Sequence, residues 1–180
     1  IERSDLQKEA KRVHELVSRP YVKYVPSARL YGHPGDDFNW NKTVDVVAEI
    51  VLAESPIHAD DLCRRVREAF GLQRTSSRIQ EAVDSAKRRA EAQGRILTRG
   101  DFLWDPAMKE PLVRSRQDSH VDVERIAPEE VLAAARQIAD VAPGLTRPVL
   151  VEEVARSLGF QRVTDNIERY LRTALQRQNW

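Results

Sequence analysis

Apolar residues recur at intervals of three and four along most of the chain, which is the spacing of an amphipathic helix. Three such stripes follow one another in the first half. They consist of Val44, Val47 and Val51, then Leu62, Val66, Ala69 and Phe70, then Ile79, Val83, Ala86 and Ala90. We therefore predict three helices within residues 43–105.

The pattern of this half is repeated in the second half. GLQRTSSRIQEAV begins at Gly71, and GFQRVTDNIERYL begins at Gly159, 88 positions later. Sliding the chain on itself by 88 aligns nine identical residues across the fifty pairs from Thr43 onward. Each copy is predicted to contain three helices. The glycine would end helix two, and a capping box, S-x-x-Q at Ser77 or D-x-x-E at Asp165, would begin helix three.

A short hairpin is predicted after the first copy, in GRILTRGDFLW. Residues 99–101 favour a turn between two short extended runs, 96–97 and 102–104. Three helices followed by a hairpin are typical of the winged-helix variety of helix-turn-helix. We predict a mainly α fold of tandem winged-helix (helix-turn-helix-like) domains with one small β-hairpin wing, preceded by an N-terminal helix. The second copy reaches the end of the sequence before a comparable hairpin.

These patterns divide the chain into four segments. Residues 1–42 would hold an N-terminal helix, packed on the first winged domain, and an aromatic-rich extended segment in which YVKYV favours a short strand. Residues 43–105 would form winged-helix domain 1, 106–125 a linker, and 126–180 a winged-helix-like domain 2. We expect Trp104 to be buried in the wing, and Trp40 is a candidate for an exposed apolar patch.

Composition excludes few functions. The chain has 180 residues, of which 41% are hydrophobic, and a formal charge of +1, so net charge gives no argument for nucleic acid or membrane. No apolar run approaches the roughly 20 residues of a membrane span. The single cysteine, Cys63, excludes an internal disulfide and fits a reducing compartment. We expect a cytoplasmic protein without a membrane partner, and the start at Ile1 suggests a piece of a longer one.

The residues from Val44 onward resemble a known family. The most specific features are P-I-x-x-x-x-L at Pro56, the two G-[LF]-Q-R phrases, and G-D-F-L-W in the wing. They resemble the uncharacterised C-terminal domain of very large bacterial proteins related to superfamily I DNA helicases, which often also carry a Vsr-type endonuclease segment. The resemblance implies that the helicase and nuclease segments of a parent chain are partners, and it implies no chemistry for this domain.

The sequence gives little support for catalysis. The four histidines are scattered without metal-ligand spacing, and no glycine-rich phosphate loop is present. Asp36, Asp37 and Lys42 lack the preceding strands that a nuclease-like carboxylate site needs. Asp60 and Asp61 are better explained as acids in the first turn of a helix. We therefore predict no enzyme activity, no metal and no cofactor.

Charge is unevenly distributed in the first copy. Residues 64–99 carry ten basic and four acidic side chains, whereas residues 43–63 carry five acids and no base. The basic stretch covers helices two and three and the wing, which contact DNA when a winged helix docks. We predict a non-catalytic module that binds DNA, duplex or junction, through phosphates with little base readout. The candidate nucleic-acid-binding residues are Arg74, Thr75, Ser77, Arg78, Lys87, Arg88, Arg95 and Arg99.

A second interpretation remains open. The outward face of helix three also carries Glu81 and Asp84, which would repel phosphates, and Asp84 with Arg88 has the spacing of an ordinary surface ion pair. Tandem winged helices can also serve as docking modules for proteins. The alternative is therefore a protein-docking or scaffold module of the same large protein without nucleic-acid contact.

Overall fold

The protein folds into two compact units, described here from a computed structural model that covers residues 13, 15–117 and 119–176. The first unit is Val22–Lys109. The second unit joins the described residues up to Tyr21 with those from Glu110 onward. The prediction of a mainly helical fold is confirmed, and the described residues form two small sheets where one hairpin was predicted.

The regular elements in the described part of the chain follow the predicted order. The helices are α1 (Trp40–Glu54), α2 (Ala59–Ala69), α3 (Ser77–Ala92), α4 (Pro128–Val141), α5 (Arg147–Ser157) and α6 (Asp165–Gln176). The strands are β1 (Arg19–Pro20), β2 (Ile57–His58), β3 (Leu97–Arg99), β4 (Phe102–Trp104) and β5 (Arg114–Ser115). Two 3₁₀ turns, Asp37–Asn39 and Val123–Arg125, precede α1 and α4. The five residues YVKYV, for which a short strand was predicted, do not form one.

A three-stranded antiparallel sheet in the order β2-β4-β3 lies beside the first three helices. The predicted hairpin is present as β3 and β4, and Gly100 turns the chain between them with a φ of 57°. β2 pairs Ile57 with Leu103 and thereby adds the third strand. β2 was not predicted, because two residues are too few to show the alternation of a strand.

The core of the first unit is built from the three predicted apolar stripes. Ile50 of α1, Val66 of α2 and Val83 of α3 are almost fully buried, and Ile96 and Leu103 cover them from the wing side. Trp104 is also buried, as predicted, while Trp40 is half-buried against the core. Burial of each such side chain contributes on the order of 2 kcal/mol, so these contacts dominate the stability of the unit.

The second unit is built around α4, α5 and α6, and its core includes residues from the N-terminal segment. Val13 and Val17 lie in the same buried cluster as Val131 and Leu171. The prediction that the N-terminal helix packs on the first domain is therefore wrong for these two residues; the other residues of that prediction lie outside the described part of the chain. β1 reaches β5 in a two-stranded parallel sheet, a pairing that no local pattern indicates.

The segment predicted as a linker, 106–125, contains buried residues. Val113, Arg114, Arg116 and Val123 are all buried in the second unit. Turn-forming residues had suggested a linker, but Glu130 of α4 offers an ionised partner for both arginines. Most of this segment is therefore a folded part of the second unit.

The two arginines and Glu130 form a buried charged cluster. The Glu130 carboxylate accepts hydrogen bonds from Arg114 Nη2 at 2.7 Å and from Arg116 Nη1 and Nη2, both at 2.9 Å. Tyr21 contributes its ring, which lies 4.9 Å from the Arg114 guanidinium and 4.7 Å from that of Arg116. Burial alone would raise the pKa of Glu130, but the charges and hydrogen bonds of Arg116 and Arg114 outweigh it and hold the pKa below its usual value.

The repeat is visible in the helix boundaries. α1, α2 and α3 begin at Trp40, Ala59 and Ser77, and α4, α5 and α6 begin 88 positions later in each case. After α2 and α5 the chain turns through Gly71 and Gly159, both with positive φ, and the amide of each glycine donates to a helix carbonyl. The prediction that these glycines end helix two of each copy is confirmed. A hairpin after α6 would lie outside the described residues.

The cap of helix three lies one residue before the predicted position. The Ser76 hydroxyl accepts a hydrogen bond from the Ile79 amide at 3.3 Å, and Thr164 occupies the same place before α6. Ser77 and Asp165 are instead the first helical residues. The predicted capping boxes are therefore wrong: the residue three positions after the cap is Ile79 or Ile167, whose side chain cannot accept a hydrogen bond. Ser76 and Ser77, like Thr164 and Asp165, are both good capping residues, and only the backbone decides between them.

Ser76→Ala is expected to lower the free energy of unfolding of the first unit by about 1 kcal/mol, because it leaves the Ile79 amide without its acceptor. Ser77→Ala is the matched control and should change it by less than about 0.5 kcal/mol. Urea unfolding followed by circular dichroism measures both. A larger effect at Ser77 than at Ser76 would contradict this cap.

Candidate nucleic-acid interface

Helix α3 is fixed by its apolar side and leaves its N-terminal end exposed. Ile79, Val83 and Ala86 are buried against the core of the first unit. The loop after Gly71 leads to the exposed residues from Gln73 to Arg78. Since the first amides of a helix lack partners within it, this end offers hydrogen-bond donors and a partial positive charge to an anion.

Four of the predicted site residues meet at this end of α3. Arg74 and Thr75 lie in the loop, and Ser77 and Arg78 are the first two residues of the helix. All four are exposed. Within the described residues, Arg74 makes no ion pair with a carboxylate, so its charge is available to a ligand. These residues form a continuous segment, which we call the α3 N-terminal group.

Arg78 forms an ion pair with Asp36. Its Nη2 lies 2.7 Å from Oδ1 of Asp36, while the other carboxylate oxygen, Oδ2, accepts from the His33 amide at 2.9 Å. The His33 hydrogen bond first, and then Arg78, hold the pKa of Asp36 below its usual value. Asp36 is therefore charged at neutral pH and offsets part of the charge of Arg78. Such an exposed pair is weak and can be exchanged for a phosphate.

The other four predicted cations lie further along the chain and are mostly engaged. Lys87 Nζ lies 3.6 Å from Asp84, and Arg95 Nη1 lies 2.7 Å from Asp45 of α1. Arg88 donates to the Ser85 hydroxyl at 3.0 Å, and the Arg99 guanidinium lies 4.6 Å from the centre of the Trp104 ring. Two of the four charges are thus paired with carboxylates.

The predicted residues do not share one surface. Arg78 and Lys87 are nine positions apart on α3, about two and a half turns, so they project to opposite sides of the helix. The face between them, directed away from the core, carries Glu81, Asp84 and Arg88. Acids outnumber bases on this face, so it would repel the phosphates that line a DNA groove. The structure therefore separates the α3 N-terminal group from the remaining candidates.

Three side chains near this group were absent from the sequence-based set. Tyr31 is 68% exposed and Phe38 is 78% exposed. The guanidinium of Arg29 lies 5.4 Å from the centre of the Tyr31 ring. Aromatic residues are concentrated between residues 21 and 40, and this concentration was the available signal. Sequence alone could not tell these two rings from Tyr24, whose hydroxyl donates to Glu49 at 2.6 Å.

An open cavity of about 760 Å³ lies beside the α3 N-terminal group, within the first unit. One wall is the loop that contains Arg29, Tyr31 and Asp36, and the other is the end of α2 with Leu72. Arg78 lines it from α3. The cavity thus combines apolar walls with two guanidinium groups, and its volume is in the range of ligand-binding clefts.

No group of three or more histidine, cysteine, aspartate or glutamate side chains among the described residues is arranged to hold a metal ion. Cys63 is buried; its surroundings, first through loss of solvent, raise the pKa of its thiol. None of the described helices combines the length and apolar character that crossing a bilayer requires.

Comparison with known proteins adds one match. Residues 44–81 match a family whose description is "Protein of unknown function (DUF3320)". The match covers most of α1, all of α2 and the loop that carries Arg74 and Thr75, and it ends inside α3. No curated protein and no solved structure matches the chain. The sequence is therefore similar to an uncharacterised domain family.

Proposed function

We propose that the first unit is a winged helix that binds DNA through phosphate contacts from the α3 N-terminal group, as a non-catalytic module. The order α1-β2-α2-α3-β3-β4 and the sheet order β2-β4-β3 support the winged-helix assignment. A larger helicase-like protein is proposed as its parent, on the strength of the sequence resemblance alone. In that setting the module would hold duplex or junction DNA with little regard to sequence.

The observation that carries this proposal is the grouping of Arg74 and Arg78 with Thr75 and Ser77 at a helix N-terminus. Free backbone amides, two hydroxyl groups and two guanidinium groups are the donors that phosphates take in protein–DNA complexes. The residues that carry these groups are exposed and form one continuous segment. No rearrangement of the core is needed for a phosphate to reach them.

The geometry favours backbone contact over insertion of α3 into the major groove. A helix that reads bases must place its outward face against the base edges. On α3 that face carries Glu81 and Asp84. We therefore narrow the site to the end of the helix, with Arg88 and the wing residue Arg99 as secondary contacts and with Lys87 and Arg95 held mainly in ion pairs.

Arg74→Glu is expected to weaken DNA binding about tenfold at low salt, because it replaces a phosphate contact with a repulsion. The slope of log affinity against log salt should also fall by roughly one. Electrophoretic mobility shifts with duplex and forked DNA, between about 50 and 200 mM salt, measure both quantities.

Arg162→Glu is the matched control. Arg162 occupies the repeat position of Arg74 in the second unit, is likewise exposed, and undergoes the same change of charge. We expect Arg162→Glu to change DNA affinity less than twofold. If Arg74→Glu and Arg162→Glu weaken DNA binding by the same factor, affinity depends on overall charge and not on this site. If the unaltered protein binds no DNA at low salt, the proposal fails.

A protein-docking role is the second candidate, and the outward face of α3 favours it. Glu81 and Asp84 on that face would suit a basic protein surface, and Leu97 of the adjacent wing is partly exposed. In this case DNA would not be retained, and Glu81→Lys with Asp84→Lys would abolish binding to the partner. The same double change should strengthen DNA binding if α3 lies near phosphates.

A further inference from the structure

We propose that the cavity beside the α3 N-terminal group takes an unpaired base of DNA, stacked on Tyr31. The inference rests on the proposed DNA binding and adds a second contact to it, one that only single-stranded or forked DNA can make. Arg29 and Arg78 at the cavity would hold the phosphates on either side of that base. A base-paired strand cannot use such a cavity, because its bases are stacked inside the duplex.

Two exposed aromatic rings near the cavity could stack with a base. Tyr31 and Phe38 together leave two aromatic faces in solvent, and the Phe38 ring lies against Gly32, the residue after Tyr31. Proteins that hold single strands without sequence preference place bases on such rings and phosphates on neighbouring cations. Arg29 already lies over the Tyr31 ring, so a guanidinium and an aromatic ring stand together at the cavity.

Hydrogen bonds from two side chains hold the backbone of the loop. The side-chain amide of Asn39 donates to the carbonyl oxygens of Tyr31 at 2.8 Å and His33 at 3.0 Å. The Thr43 hydroxyl donates to the Pro34 carbonyl at 2.8 Å. Polar contacts to α1 and to the turn before it therefore fix the loop, and Tyr31 is left in solvent. A pre-formed site of this kind loses little entropy on binding.

The charges at the cavity suit an anion with an apolar part. Arg29 has no carboxylate partner within the described residues, and Arg78 shares Asp36 in an exposed pair. Glu68 is occupied with Arg65 and Arg67 of its own helix. Leu30, Leu72 and Tyr31 supply apolar lining. A nucleotide combines a flat apolar ring with a phosphate and matches both features.

The test compares labelled oligothymidylate with a blunt duplex by fluorescence anisotropy. Tyr31→Ala should weaken binding to the single strand about fivefold or more, since a stacked base contributes at least that factor. The affinity of Tyr31→Ala for the blunt duplex should stay within twofold of that of the unaltered protein. Tyr31→Phe keeps the ring and should retain single-strand binding. Val25→Ala, an exposed apolar change that does not line the cavity, is the control.

An abasic oligonucleotide gives a second arm that needs no substitution. It keeps the phosphates and removes the bases, so the unaltered protein should bind it as weakly as Tyr31→Ala binds oligothymidylate. Equal binding of abasic and thymidine strands, or an unchanged affinity in Tyr31→Ala, overturns the base site. If duplex binding still depends on Arg74 in that case, the proposed function stands; if no DNA is bound at all, both proposals fall.

Discussion

Replacing Glu130 with glutamine is expected to lower the free energy of unfolding of the second unit by about 3 to 5 kcal/mol, because it leaves two buried guanidinium groups without a counter-charge. Arg114 and Arg116 are both buried, and Glu130 itself has no exposed surface. The carboxylate also accepts the Arg114 backbone amide at 2.9 Å, so its removal weakens the start of β5 as well.

The neighbouring residue provides the control. Glu129→Gln removes the same charge from the same first turn of α4, but Glu129 is exposed, so the cost should stay below about 1 kcal/mol. Hydrogen exchange read from peptides of α4, α5 and α6 reports the second unit by itself. Similar effects at the two positions would mean that the buried cluster adds no stability.

Glu130→Gln is also expected to change how the free energy of unfolding depends on pH. A carboxyl group whose pKa is lowered by folding stabilises the protein above its unfolded pKa, and this stability is lost as the pH falls through the folded pKa. The pKa of Glu130 is lowered, so the difference in stability between the unaltered protein and Glu130→Gln should be constant near neutral pH and shrink in acid. A difference that grows in acid would contradict the charge of Glu130.

Periodic patterns predicted the helices because burial follows the spacing of apolar residues. Ile79, Val83 and Ala86 were placed in the core from their spacing alone, and they are buried. The shift of 88 likewise predicted equivalent starts for α3 and α6. Interactions between distant residues leave no such pattern. The pairing of β1 with β5 and the arginines around Glu130 became visible only in the folded chain.

At the candidate site, too, local sequence predicted some features, while contacts between distant residues could not be predicted. Local composition identified the loop and the start of α3, where Arg74 and Arg78 lie. Counting charges over a segment could not show that Arg95 is paired with Asp45 of α1, nor that Arg78 and Lys87 face opposite ways. It also could not separate Tyr31, exposed at the cavity, from Tyr24, bound to Glu49. Carboxylates 42 and 50 positions away, Asp36 and Asp45, decide how far the charges of Arg78 and Arg95 are neutralised.

Gly71 and Gly159 occupy the same repeat position and have positive φ values of 66° and 99°, yet they should respond differently to alanine. At Gly71 an added Cβ would meet nothing within 4 Å. Only the conformational cost remains, so Gly71→Ala is expected to lower the free energy of unfolding by about 1 to 2 kcal/mol.

At Gly159 the chain approaches too closely for a side chain. A Cβ there would lie 2.5 Å from the Gln117 nitrogen and 2.6 Å from the Arg116 nitrogen, which donates to the Leu158 carbonyl at 3.0 Å. Because these neighbours are backbone atoms, they must move, and β5 with them. Gly159→Ala should therefore cost about 3 kcal/mol or more, the sum of the φ penalty and overpacking. Urea unfolding and hydrogen exchange of both variants measure the contrast, and equal losses would mean that the segment after β5 does not lie against this glycine.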